Sequence, residues 1–135
     1  RLLVENLDLG HTQHHCGETP EHVAACGEGA FKALRLRSSD DLVALDAWGG
    51  PFVLVDAYRE GVFGGTGALG DWELSAIAAR RRPVWLAGGL SPRNVADAVR
   101  TVRPYGVDVA SGVEESPGVK RADLLAAFVQ AARVT

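Results

Sequence analysis

Only two of the 135 residues are cysteine, Cys16 and Cys26. That is too few for a disulfide framework, and with no export signal ahead of them both are expected to be reduced thiols. Positive charge is also scarce, since 14 Lys and Arg stand against 17 Asp and Glu for a net charge of −3. No basic stripe is available to a nucleic-acid backbone, so nucleic acid is not an expected partner, although a small phosphate needs only local amides. Apolar runs stop well short of the ~20 residues that a membrane helix requires. The first residues lack the basic, apolar and small-residue regions of a signal peptide. The expected setting is therefore cytoplasmic, with no membrane partner. No linker or low-complexity stretch divides the chain, so residues 1–135 are read as one domain or part of one. Opening on Arg1, in what reads as the end of a helix (Leu2, Leu3, Leu7), the sequence suggests that a further N-terminal part precedes it.

What the chain has is apolar sequence (47%) and glycine (16 residues) arranged in a repeating plan. Short apolar runs at roughly 9–15, 30–36, 52–57, 83–87 and 106–110 read as strands. Helix starts follow them: Thr19 with Pro20 and Glu21, Ser39 with Asp40 and Asp41, Asp71 with Trp72 and Glu73, and Ser91 with Pro92. Each supplies a capping oxygen, then an acidic residue that suits the helix dipole or a proline that needs no donor. A βα unit repeated five times is α/β, and either an open doubly wound sheet or part of a (β/α)8 TIM barrel. Glycine signals after the last two strands favour the barrel, where those loops commonly hold a phosphate. Five parallel units do not close eight strands, so the first three units are expected to lie outside this chain.

Candidate site residues gather at the ends of the apolar runs. Asp56 ends Phe52-Val53-Leu54-Val55, a position suited to a general acid and equally to a turn-capping carboxylate. Gly64-Gly65-Thr66-Gly67 lets backbone amides approach an anion or serves as a flexible turn. Gly88-Gly89 and Ser111-Gly112, each after a strand, would bring amides from two loops around one phosphate. His11, His14, His15 and Cys16 are zinc-type ligands, but alternation along a strand splits them between two faces, so no metal is expected. His15 is expected to line the site, and His14 to face the helix layer as an unpartnered imidazole. Trp48, Trp72 and Trp85 read as packing residues rather than a base-stacking platform.

These residues resemble the phosphoribosylanthranilate isomerase family of tryptophan biosynthesis. Gln13-His14-His15-Cys16-Gly17-Glu18-Thr19-Pro20-Glu21 is similar to its Gln-Leu-His-Gly-x-Glu-x-Pro-Glu stretch, and Phe31-Lys32-Ala33 to its Ile-Lys-Ala strand. Leu54-Val55-Asp56 through Phe63-Gly64-Gly65-Thr66-Gly67 to Asp71-Trp72 resembles its central signature. The segments Leu86 to Val95, Val102 to Glu114 and Ser116 to Lys120 are closer still, and the likeness covers nearly the whole chain. The resemblance implies an Amadori rearrangement of N-(5-phosphoribosyl)anthranilate to 1-(2-carboxyphenylamino)-1-deoxyribulose 5-phosphate, with no cofactor. It implies Asp56 as general acid, Gly65, Gly88, Gly89, Ser111 and Gly112 as phosphate loops, and His15 and Asp108 as polar groups of the substrate pocket.

Two features of the family have no counterpart in the sequence: the cysteine general base that ends its first strand, and the arginine of the next unit that helps hold the anthranilate part. The chain alone is therefore expected to be inactive. Cys16 belongs to a different strand and is not expected to replace the base. One alternative reading is a related histidine-pathway sugar-phosphate isomerase, which would need a second strand-end aspartate. Another is a non-catalytic phosphate-binding half-barrel that associates with another chain through its open sheet edges.

Overall fold

Runs of branched apolar residues build five short strands, and the computed structural model, which describes residues 9–57 and 69–133, lays all five parallel in one sheet in chain order. They are β1 (Thr12–His14), β2 (Ala30–Leu34), β3 (Val53–Asp56), β4 (Val84–Ala87) and β5 (Gly106–Val107). Parallel neighbours cannot be joined by a tight turn, so each connection crosses over. Helices α1 (Pro20–Ala25), α2 (Ser39–Ala44), α3 (Leu69–Arg81), α4 (Val95–Val102) and α5 (Ala122–Ala132) lie between and after the strands. The expected five-unit α/β order is therefore present. The edge strands β1 and β5 are shorter than the expected 9–15 and 106–110, because each has a single neighbour to pair with.

Helix starts depart from the sequence reading in three places. Thr19 caps α1 as expected, accepting from the His22 amide at 3.3 Å. For α2 the cap is Ser38, not Ser39: its hydroxyl accepts from the Asp40 amide at 3.3 Å while the Asp41 carboxylate accepts from the Ser38 amide at 3.1 Å. This reciprocal box needs its carboxylate three residues on, which selects Ser38. Helix α3 is already formed at Leu69, two residues before Asp71. Ser91 and Pro92 form a turn whose carbonyl, at Ser91, accepts from the Asn94 and Val95 amides, and α4 begins only at Val95.

Alternation along the strands sorts the side chains into two layers. Val53, Val55, Val84 and Leu86 point to the helices, where they pack with Leu42, Leu45 and Ala78 on one side and with Val95, Ala98, Val102 and Phe128 on the other. The opposite face carries Phe31, Leu54 and Ala87, with Phe52 and Trp85 against them. Trp48 and Trp72 pack against the two helix-side clusters. Lys32 also turns to the helix side, where it is only 4% exposed. Its ammonium donates to Glu18 at 2.7 Å and to the Cys16 carbonyl at 2.6 Å, and lies 5.0 Å from the centre of a Trp48 ring.

Two features after β5 were not expected. Between β5 and α5 the chain makes a 3₁₀ turn (Ser111–Val113) and a small antiparallel hairpin, β6 (Glu114–Ser116) with β7 (Val119–Lys120). Pro117 and Gly118 form its turn, with Gly118 at φ +83°, where glycine carries no steric cost. No helix among the described residues is long and apolar enough to cross a membrane.

Candidate active site

At the carboxyl end of a parallel strand the side chain that follows the sheet's inward face projects past the last backbone hydrogen bond, so polar groups collect there. On β3 the inward series is Leu54 then Asp56; on β4 it is Trp85 then Ala87, with Gly88 and Gly89 beyond. Past β5, the Asp108 amide donates to the Leu86 carbonyl at 2.9 Å and extends the ladder to the rim. Asp56, Gly88, Gly89, Asp108, Ser111 and Gly112 all border one cavity of about 320 Å³, floored by Leu54 and Ala87. Six of the eight expected site residues thus converge. Gly65 lies outside the described residues.

His15 is not among the cavity's lining residues; Gln13 is. Both share the parity expected for the inward face, but β1 ends at His14, and beyond it the chain leaves the sheet. His15 is exposed, with Nδ1 3.9 Å from the Cys16 Sγ. His14 does turn toward the helices, yet it has partners: its Nε2 lies 3.3 Å from Thr12 Oγ1 and its ring meets His22 edge-on at 6.5 Å. The expectation of an unpartnered imidazole is corrected accordingly. Neither cysteine lines the cavity; the Cys26 thiol donates to the His22 carbonyl at 3.3 Å. Among the described residues, no three His, Cys, Asp or Glu side chains are grouped to hold a metal ion.

The two glycine loops are shaped by backbone geometry. Gly88 and Gly89 adopt φ +91° and +64°, so both turn left-handed in succession. Asn94 holds this turn: its Oδ1 accepts from the Ser91 amide at 2.8 Å and its Nδ2 donates to the Gly89 carbonyl at 3.0 Å. Gly112 is pressed against the same loop, since a Cβ there would lie 1.8 Å from the Leu90 carbonyl oxygen. The loops after β4 and β5 are therefore in backbone-to-backbone contact, which side chains larger than hydrogen would prevent. Sequence reading found the glycines but missed Asn94; its spacing after Gly89-Leu90-Ser91-Pro92 was the available signal.

Among the described residues, the cavity's lining includes the carboxyl groups of Asp56 and Asp108 and no Lys or Arg. Arg35, beyond β2, approaches Asp56 with Nη2 3.6 Å from Oδ2. Both side chains are well exposed, at 50% and 39%, so solvent screens the pair. Behind the loop after β5, Lys120 of β7 donates to the Ala110 carbonyl at 2.8 Å and to Glu114 Oε1 at 2.6 Å. The bond from Lys120 holds the Glu114 carboxyl below its usual range, with a smaller contribution from the Gly118 amide and burial acting against both. Next to β1, Glu18 is held at about 2 by its bond to Lys32, with further lowering from backbone amides including Cys16. That pair closes the loop from Cys16 to Glu18 back onto β2.

A strand-end carboxyl group that borders a rim cavity with two glycine loops can, in its protonated form, donate a proton to one part of a ligand while backbone amides hold an anionic group at another. Several solved structures superpose on this chain. The crystal structure of phosphoribosyl anthranilate isomerase from Thermotoga maritima superposes with a TM-score of 0.79 at 34% identity, covering 97% of this chain and 65% of that one. Another structure of that isomerase, in complex with reduced 1-(o-carboxyphenylamino)-1-deoxyribulose 5-phosphate, superposes at 0.75 with 31% identity, over 97% of this chain and 63% of the other. The curated N-(5'-phosphoribosyl)anthranilate isomerase of Magnetococcus marinus is 46% identical over 125 residues, 93% of this chain and 60% of that protein. The chain thus spans about three fifths of the length of the curated relatives it matches. Residues 2–131 match the profile described as N-(5'phosphoribosyl)anthranilate (PRA) isomerase, and the chain belongs to that family.

Proposed function

We propose that this chain carries the acid-bearing and phosphate-binding part of an N-(5'-phosphoribosyl)anthranilate isomerase, acting in tryptophan biosynthesis in the cytoplasm. Its five βα units are read as one domain's share of a (β/α)8 barrel, and a further segment supplies the remaining three units. The observation that carries this reading is the single cavity that joins Asp56 to Gly88, Gly89, Ser111 and Gly112.

In the proposed reaction, Asp56 donates a proton to the ribose ring oxygen, the C1–O bond breaks, and the nitrogen lone pair forms the C1=N bond of a Schiff base. A base then removes the C2 proton, and the resulting enolamine becomes the 1-amino-2-ketose. The amides after β4 and β5 hold the 5-phosphate, as would Gly65, and Asp108 meets the sugar or anthranilate part. No cofactor enters these steps. The family resemblance implies a strand-end cysteine as the base; neither Cys16 nor Cys26 lines the cavity, and the chain alone is expected to show no turnover. Supplying the N-terminal segment of a relative, with its strand-end cysteine, should give isomerisation of N-(5'-phosphoribosyl)anthranilate. A phosphate-binding half-barrel with no catalytic role would bind phosphate but stay inactive under the same treatment.

A further inference from the structure

We propose that Lys120, on the hairpin behind the loop after β5, is a positioning residue that sets the phosphate affinity of the site by polarising the Ala110–Ser111 peptide. The inference rests on the phosphate-site reading above. A phosphate monoester must enter a cavity bordered by Asp56 and Asp108, with no cation among its described lining residues. Among the described residues, backbone amides are the groups that can supply the attraction, and their strength depends on what their carbonyls meet.

Lys120 meets one of them directly. Its ammonium donates to the Ala110 carbonyl at 2.8 Å. The Ala110–Ser111 peptide is trans, so its N–H points opposite to that carbonyl. Lys120 is not a lining residue, whereas Ala110 and Ser111 both are. The carbonyl thus faces the hairpin and the Ser111 N–H faces away from it, on the side of the cavity. A cation bound to the carbonyl end makes the N–H a stronger donor, as linked hydrogen bonds polarise one another in a low-dielectric setting. It also fixes the peptide plane, so the amide does not turn away when the site is empty.

Glu114 moderates this effect. Its carboxylate, 16% exposed, takes a second bond from Lys120 at 2.6 Å and so neutralises part of the charge that Ala110 feels. The hairpin sets this balance because Glu114 and Lys120 face each other across the β6–β7 register. If Lys120 and Glu114 simply held the hairpin in shape, removing either would loosen the loop and weaken binding. Acting through charge, they have opposite signs: loss of Lys120 weakens phosphate binding, and loss of the Glu114 charge strengthens it.

The test is a titration of the ¹⁵N-labelled chain with inorganic phosphate, following amide shifts. In the wild type the shifts should centre on Ser111, Gly112, Gly88 and Gly89. Lys120→Met should weaken the affinity about three- to tenfold, the range expected for one charge-assisted contact, and move the free-state Ser111 amide proton upfield. Lys120→Arg should restore most of the affinity, and Glu114→Gln should tighten binding. If Lys120→Met does not fold, Lys120→Gln keeps a donor without the charge and should show the same loss. Equal phosphate affinity in wild type and in Lys120→Met or Lys120→Gln, or weaker binding in Glu114→Gln, would overturn the inference while leaving the phosphate site intact. No phosphate-dependent shift at these four amides in the wild type would overturn the site reading, and the inference with it.

Discussion

Replacing Gly112 by alanine should drive apart the two loops that form the proposed phosphate site. An added Cβ would lie 1.8 Å from the Leu90 carbonyl oxygen, 2.9 Å from its carbon and 3.1 Å from the Ser91 Cα. Reaching even 3.0 Å from that oxygen requires the loops to separate by 1.2 Å, the difference between 3.0 and 1.8 Å. The obstacle is backbone, so no rotamer change relieves it. Gly112 does not have positive φ, so the cost is steric alone. Overpacking of this kind costs ~1–3 kcal/mol. A displacement near 1 Å at a reacting or binding centre can cost ~10²-fold in rate. Urea unfolding of Gly112→Ala beside wild type should show the stability loss, and phosphate titration should show weakened binding at Gly88 and Gly89 as well as at Ser111. Gly17→Ala is the matched control, since an alanine Cβ there meets nothing within 4 Å. It should change stability by no more than ~0.5–1 kcal/mol, in the stabilising direction. Gly112→Ala behaving like Gly17→Ala in both measurements would refute the contact between the loops.

Other outcomes follow from the packing and from the Lys32 pair. Glu18 is held at about 2 against an ordinary value of 4.5, so its bond to Lys32 stabilises the fold fully above the unfolded value and loses that effect as the pH falls through the folded one. The stability difference between wild type and Glu18→Gln, read from denaturant midpoints, should therefore be constant above about pH 4.5 and shrink toward zero near pH 2. Leu86 is 0% exposed in the cluster behind β4. Leu86→Ala should cost ~2–5 kcal/mol of unfolding free energy, and a loss under 1 kcal/mol would show that the cluster does not support this strand. Asn94→Ala should free the Gly89 carbonyl and the Ser91 amide, weakening phosphate binding more than it lowers the unfolding midpoint.

The strands were legible because β3 and β4 are buried on both sides of the sheet, so Val53-Leu54-Val55 and Val84-Trp85-Leu86 stand out as continuous apolar runs. The placement of Asp56 and the two glycine loops followed from the strand ends, where pattern and resemblance agree, whereas Asp108 came from the resemblance alone. His15 was misjudged for a local reason: parity along β1 was read correctly, but an edge strand with one partner stops sooner, and Gln13 is its last inward residue at the cavity. The hairpin was missed because Glu114, Glu115, Ser116 and Lys120 are polar or charged and carry no apolar alternation; only Pro117-Gly118 marks the turn. Lys120 to Ala110 and Asn94 to Gly89 are side-chain-to-backbone bonds, which a one-dimensional pattern of apolar residues does not encode.

The most direct measurement is the turnover of N-(5'-phosphoribosyl)anthranilate by this chain assembled with the N-terminal segment of a relative, compared between wild type and Asp56→Asn. Asparagine keeps the shape and the hydrogen-bonding reach of Asp56 but has no acidic proton, so kcat should fall ~10²–10⁴-fold while phosphate binding at Gly88, Gly89, Ser111 and Gly112 is retained. A kcat within a few-fold of wild type in Asp56→Asn would contradict the assignment of Asp56 as the proton donor.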